Sequence, residues 1–258
     1  MLAVHSITLA GGRTAIAVAA PADVSGEEAV VALALPRPNG VIVLNGGTTE
    51  LPAHLAATLR DTLGKGIARV AVEERLTVVT GGTDAGIFSL FGQALGDDRT
   101  APCIGVVPAG RVTWLERASP ADRGPKDEEL VPLEPHHSHF LLVAGDEWGA
   151  ETEAMLSLAD ALGADCASLA VLAGGGAGSR REILGHVRAG RPVIVLAGTG
   201  RLADKLAGVI AGGSPSDPET AEIASTDLIT VVDSAEPSST LAQLIRAGLG
   251  TKNESVQG

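Results

Sequence analysis

The sequence predicts an α/β fold: a Rossmann-like, mostly parallel sheet with helices on both faces and an N-terminal β-hairpin. Three observations carry this. Apolar runs of strand length alternate with helix-length stretches along nearly the whole chain, which implies parallel pairing and right-handed crossovers. Four of the runs end in glycine-rich turns that open a helix. Finally, 45% of the 258 residues are apolar but only 2% aromatic, so a sizeable core is available and must be built from Ala, Val, Leu and Ile.

The elements follow in order. Residues 4–10 and 14–20 run apolar or alternating around Gly11-Gly12, a hairpin signal for a sheet edge. Ser25 caps a helix to about Leu35, ended by Pro36 and Pro38. Residues 41–44 form a buried strand that opens into Asn45-Gly46-Gly47-Thr48-Thr49. A helix from about Glu50 is interrupted by Gly64-Lys65-Gly66 and resumes to Arg75. The strand 76–79 ends at Thr80-Gly81-Gly82-Thr83, and 84–95 is helical. Residues 103–107 form a strand, with Cys103 as a small core residue.

The irregular segment 111–138 follows, carrying Pro120, Pro125, Pro132 and Pro135. A loop of that length in a compact domain is a functional lid or a disordered stretch. Residues 139–144 form a strand, 150–162 a helix and 168–173 a buried strand. That strand breaks into Gly174-Gly175-Gly176-Ala177-Gly178-Ser179 and restarts as a helix carrying Arg180, Arg181 and Glu182 to Arg188. The strand 191–196 opens into Gly198-Thr199-Gly200, which with Ala203 makes a GxGxxA pattern. A short helix, a strand at 228–232 and a helix over 237–249 close the fold. We expect one domain over 1–250, with 1–38 as a hairpin-and-helix extension and 251–258 as a flexible tail.

In a doubly wound sheet the four glycine turns would share the carboxyl edge, where ligands bind. Glycine lets the backbone approach a phosphate, and the first N–H groups of a helix point at it. The expected ligand residues are Gly46, Gly47 and Thr48 in the first turn, and Gly81, Gly82 and Thr83 in the second. The third contributes Gly174, Gly175, Gly176, Gly178, Ser179, Arg180 and Glu182, and the fourth Gly198, Thr199 and Gly200.

Gly175-Gly176-x-Gly178-Ser179-x-x-Glu182 resembles the PGGxGTxxE motif of LOG-type phosphoribohydrolases, with Gly174 for the proline and Ser179 for the threonine. Thr80-Gly81-Gly82-Thr83-Asp84-Ala85-Gly86-Ile87 resembles the GGGxxGLM turn of the same superfamily. Pro132-Leu133 and Phe140-Leu141-Leu142-Val143 resemble a run in the cytosolic N-terminal domain of melastatin-type TRP channels, whose prokaryotic relatives are the LSDAT proteins of the SLOG superfamily. The likeness extends from about Val41 to about Ala207. It implies a nucleotide-derived ligand of the ADP-ribose or NAD-product type. It also implies a base–ribose cleavage role for Glu182 if the protein is an enzyme. The LOG pattern carries an arginine-rich segment where this chain has Pro135-His136-His137-Ser138-His139. That departure counts against phosphoribohydrolase chemistry and leaves the phosphate cradle untouched.

Each candidate has a plainer reading. Ser179 and Glu182 have capping-box spacing. Arg180 and Arg181 oppose the helix dipole, so either phosphate contact or solvation accounts for them. Asp84 and Asp204 could cap helices or meet a ribose hydroxyl. His136, His137 and His139 match no zinc spacing and fit a turn before a strand, so no metal is expected. The net charge of −12 argues against a nucleic-acid surface and an anionic membrane but admits a small phosphorylated ligand. No stretch approaches the ~20 apolar residues of a spanning helix. The N-terminus lacks a signal-peptide pattern, so a cytoplasmic location is expected; a homo-oligomer is expected as well.

Two functions compete: a ligand-binding or sensor domain that needs no cofactor, and a nucleotide N-glycosidase using Glu182. A subunit with a vestigial pocket ranks third. An NAD dehydrogenase ranks last, because its fingerprint would normally lie in the first βα unit.

Overall fold

Apolar runs that are buried on both sides belong in the middle of a sheet. The protein is described by a computed structural model over residues 2–48, 52–117 and 130–250. The chain runs β1 (Ala3–Thr8), β2 (Thr14–Ala20), α1 (Gly26–Leu33), β3 (Val41–Gly46), α2 (Ala53–Leu63), α3 (Arg69–Glu74), β4 (Thr77–Thr80) and α4 (Gly86–Leu95). Next come β5 (Cys103–Pro108), β6 (Val112–Thr113), β7 (Val131–Pro132), β8 (His139–Val143), α5 (Thr152–Leu162), β9 (Ser168–Ala173) and α6 (Ala177–Arg188). It ends with β10 (Val193–Ala197), α7 (Arg201–Ile210), α8 (Pro218–Ala224), β11 (Ile229–Asp233) and α9 (Ser238–Gly248).

Nine strands form one sheet in the order β1-β2-β8-β5-β4-β3-β9-β10-β11. Only β1 and β2 pair antiparallel, as the hairpin predicted; the other pairings in this sheet are parallel. Along β3, Val41 and Val43 pack with α1, α5 and α6 on one face, and Ile42 and Leu44 pack with α2, α3, α4 and α9 on the other. Val171 and Leu172 in β9 divide the same way. Both faces are therefore covered, and each strand alternates between two cores.

Local sequence explains the ends of elements. Ser25 and Glu28 close a full capping box at the start of α1. Gly64 and Gly66 do not interrupt the second helix as expected. The chain stays helical through a π turn over Gly64–Ala68 between α2 and α3, which accommodates the irregularity without a break. Gly66 is needed for packing instead, since a Cβ there would lie 2.9 Å from Leu241 of α9. Asn45 and Gly46 are part of β3 rather than of the turn after it.

The expected irregular segment is partly ordered. Its two ends pair in parallel as β6 and β7, and Leu133 bridges to Thr83. The lid reading for residues 118–129, the helix start at Glu50 and the tail 251–258 lie outside the described residues. Among the described residues, no helix is long and apolar enough to cross a membrane.

Candidate functional site

The glycine turns follow β3, β4, β9 and β10, which are neighbours in the sheet and run in the same direction. They therefore share one carboxyl edge. Their states differ, however.

The β4 turn is covered. Thr83 is buried, Gly82 lies against Gly105 with φ +64, and the Gly82 carbonyl accepts the Glu134 amide. Glu134, which the sequence reading missed, is fully buried under this turn. It accepts the His136 and His137 ring nitrogens at 2.7 Å each, and the backbone amides of both. His137 continues to the Thr80 hydroxyl at 2.6 Å. The histidine cluster thus holds the turn, and Glu134 keeps its carboxyl below the usual range through these contacts despite burial. Among the described residues, no group of three or more His, Cys, Asp or Glu could hold a metal ion.

The β9 and β10 turns are locked to each other. The Thr199 hydroxyl accepts the Gly174 amide at 2.8 Å and donates to the Leu196 carbonyl at 2.5 Å. The Gly174 and Gly175 carbonyls accept the amides of Ala203 and Leu202. The second and third N–H groups of α7 are thereby occupied, so the GxGxxA turn does not present the open helix start that a dinucleotide fingerprint requires. Asp204 does not cap α7; it is exposed and accepts the Gly198 amide at 2.7 Å. Asp84 likewise does not cap α4 but accepts from Ser89. In the β3 turn, the Gly47 amide donates to the Ala173 carbonyl, and Thr48 is exposed.

Helix α6 corrects the capping expectation. It begins at Ala177 with Gly176 at its cap, so Ser179 is already inside the first turn. Ser179 is buried and donates to the Gly46 carbonyl at 3.1 Å, tying α6 to β3. Glu182 is released from capping and faces β3 and α5. There Asn45 Nδ2 donates to its Oε2 at 3.0 Å.

Behind Asn45 lies a chain of hydrogen bonds. A guanidinium can only donate, so Arg191 donates to His186 Nδ1, at 2.5 Å. That fixes the tautomer: His186 Nε2 donates to Asn45 Oδ1 at 3.2 Å, which leaves the Asn45 amide aimed at Glu182. Arg191 is anchored by Asp160 at 2.6 Å. Burial, with the nearby Arg191 charge, lowers His186 to about 3, so it stays neutral.

Glu182 is raised to about 7, chiefly by burial. The Asn45 bond opposes the shift, the Glu151 charge adds to it, and Arg181 works against it. Glu151, also absent from the sequence reading, is buried at the start of α5, accepts the Gly149 amide at 2.8 Å, and is raised by burial as well. Asn45, Glu151, His186 and Arg191 are scattered along the chain. The one available signal was an asparagine ending a wholly apolar strand.

On the opposite side of α6 is a cleft of about 360 Å³, lined by Gly175, Gly176, Ala177, Arg201, Lys205 and Asp217 among others. The start of α6, with its unsatisfied first-turn N–H groups, opens onto it. Arg180 also lines it, but its guanidinium is held by Asp217 at 3.0 Å and Glu219 at 2.7 Å. Arg180 is therefore a tie to α8 rather than a free clamp.

A parallel, doubly covered sheet with glycine turns gathered at its carboxyl edge defines a Rossmann-like, nucleotide-related domain. Residues 39–243 match the family described as prokaryotic SLOG in TRPM, and the chain belongs to that family. It is 28% identical over 208 residues to human transient receptor potential cation channel subfamily M member 5, covering 68% of this chain and 18% of the channel. It is 26% identical over 202 residues to mouse member 2, covering 67% of this chain and 13% of that channel. The chain thus spans less than a fifth of these relatives. Among solved structures, the X-ray structure of TM1055 superposes with a TM-score of 0.52 at 21% identity, over 81% of this chain and 99% of that one. That likeness concerns the fold.

Proposed function

We propose that the domain binds a nucleotide-derived ligand of the ADP-ribose or NAD-product type and serves as a sensor or ligand-binding domain. The carrying observation is the start of α6. Gly176 and Ala177, at the start of α6, line a cleft with Arg201 and Lys205, while Glu182 of the same helix is held by Asn45 of β3. A phosphate on the helix start would bring a ribose within reach of one of these faces. Ligand binding raises native stability by mass action. A thermal-shift panel of AMP, ADP-ribose and NAD, backed by calorimetry, is expected to give at least one clear upward shift. A flat panel with silent calorimetry overturns the reading.

A second reading rests on Glu182 alone. A carboxyl raised to about 7 suits general acid–base work at neutral pH, and a base–ribose bond breaks through an oxocarbenium-like state that a carboxylate stabilises. An N-glycosidase would release free base from nucleoside monophosphates, and Glu182→Gln would slow that release strongly. Absence of base with either protein leaves the binding reading alone.

A further inference from the structure

We propose that Arg191 and His186 are positioning residues for Glu182: acting through Asn45, they decide which end of a side-chain amide faces the carboxyl, holding Oε2 and leaving Oε1 for a ligand. This rests on the reading that a ligand meets Glu182, and it gives a role to residues that reading does not use.

Donor and acceptor polarity is the first support. A guanidinium only donates, whereas a neutral imidazole and a carboxamide can each be turned either way. Arg191 therefore admits one arrangement at His186 Nδ1, 2.5 Å away. That choice passes along: His186 Nε2 donates to Asn45 Oδ1 at 3.2 Å, and Asn45 Nδ2 donates to Glu182 Oε2 at 3.0 Å. With an apolar side chain at 191, His186 is free to carry its proton on Nδ1. Its Nε2 then accepts, and the Asn45 amide turns its carbonyl towards Glu182.

Anchorage is the second. The guanidinium is fixed by two more bonds, from Nε to Ser168 Oγ at 3.1 Å and from its second terminal nitrogen to Asp160 Oδ1 at 2.6 Å. Ser168 opens β9, and Asn45 lies beside Leu172, four residues further along that strand. The relay thus starts at the amino edge of the sheet and ends near its carboxyl edge. It follows α6, on which Glu182 and His186 stand four residues apart and so share a face.

Burial is the third. Asn45, His186 and Arg191 are all buried, Arg191 at 5% exposure, beside an apolar core that includes Val43, Ile183 and Val187. Buried charges are costly, and well-packed apolar residues of similar volume often serve stability as well or better. Packing alone does not call for this string of polar groups. One end is closed on α5 and β9; the other is a carboxyl whose Oε1 has no hydrogen-bond partner among the described residues. Around that carboxyl stand Asn45 from β3, Glu151 from α5 and Arg181 from α6 itself, and only Asn45 donates a hydrogen bond to it. His186, held near 3 by burial and the Arg191 charge, stays neutral throughout the range in which Glu182 titrates, so the polarity of the relay does not change there.

The test is NMR on the full chain, first without ligand. In the wild-type protein the His186 ring is expected to carry its proton on Nε2. Arg191→Met removes the donor; it is expected to mix the two tautomers and to lower the acid constant of Glu182 about three- to tenfold, the worth of one hydrogen bond. Arg191→Lys keeps a donor-only group and is expected to restore both readings. A merely structural role would cost stability in either variant without moving the Glu182 midpoint. His186→Gln against His186→Leu repeats the comparison at the next link if Arg191→Met does not fold, because a carboxamide can still accept from Arg191 and donate to Asn45. A wild-type proton on Nδ1 overturns the proposal, and so does a midpoint unmoved by Arg191→Met and His186→Leu. Calorimetry with AMP across pH then follows the ligand: its pH profile is expected to move with the midpoint, and a profile that stays put overturns the role towards ligand. Failure of AMP and ADP-ribose to bind at all defeats the nucleotide reading, while the titrations still decide the relay.

Discussion

The two faces of α6 solve opposite problems with the same helix. On the β3 side, Glu182 is half-buried and held by one neutral amide, with the charge of Arg191 three hydrogen bonds away behind His186. On the α7 side, cations line an open cleft and the backbone is glycine. In the proposed reading the first face controls a proton and the second attracts an anion. A nucleotide monoester has a part suited to each, a neutral ribose and a charged phosphate. The contrast teaches that net charge, −12 here, says little about a site whose local fields are arranged residue by residue.

The sharpest way to break the comparison is to fill the cleft face. Gly176 has φ −115, so a side chain is not excluded by its backbone, and a Cβ would meet only the end of a flexible arginine. Gly176→Val is expected to keep the fold and weaken nucleotide binding at least about 100-fold, ~2.7 kcal/mol. Unchanged affinity in the folded variant, read by calorimetry, moves the phosphate elsewhere.

The buried face is broken by Asn45→Ala. It leaves the His186 Nε2–H without its acceptor, which destabilises by roughly 1–3 kcal/mol. It also removes the bond that holds Glu182 down, so the Glu182 carboxyl is expected to titrate above about 7 in a carbon-detected NMR titration. A downward shift would mean that the amide does not stabilise the carboxylate.

That same shift predicts a pH dependence. In the folded protein Glu182 keeps its proton up to about 7, whereas unfolded it releases it near 4.5. Within this window the native state binds more protons, so stability falls as pH rises and levels off above the folded value. Denaturant melts across the window should show a flatter profile for Glu182→Gln. Glu151→Gln should move the Glu182 titration down, because the Glu151 charge raises it. An unaltered profile in Glu182→Gln assigns the slope to other groups.

The sequence made the sheet legible because burial on both faces is written into contiguous apolar runs such as 168–173, and glycine marks where they end. It also marked Gly174–Ser179 as the turn from a strand to a helix, although α6 already begins at Ala177. Which hydroxyls were free was not legible. Ser179 and Thr199 look like ligand contacts in sequence, yet the Ser179 hydroxyl donates to Gly46, brought near by the pairing of β3 with β9, and the Thr199 hydroxyl to Leu196 three residues back. Capping spacing misled at Ser179 because a carbonyl 133 residues away competes for the hydroxyl. The partners of Glu182 were hidden for the same reason: His186 meets Asn45 across 141 positions, a contact made only by the fold.

The finest test concerns Gly178, where the two demands on α6 separate. It lies in the first turn of the helix, and its φ is not among the positive ones. A Cβ there would meet nothing within 4 Å, so neither packing nor backbone conformation calls for glycine. Glycine inside a helix is less favourable than alanine by up to ~1 kcal/mol, and near an end the difference is smaller. Gly178→Ala is therefore expected to stabilise the unliganded protein by a few tenths of a kcal/mol, up to ~1, in denaturant melts. If the glycine is retained for close approach of a phosphate to the α6 amides, the same variant binds AMP or ADP more weakly while being more stable. Stabilisation with undiminished binding would place the phosphate beyond the reach of this methyl group and shift the cradle towards Gly175 and Gly176.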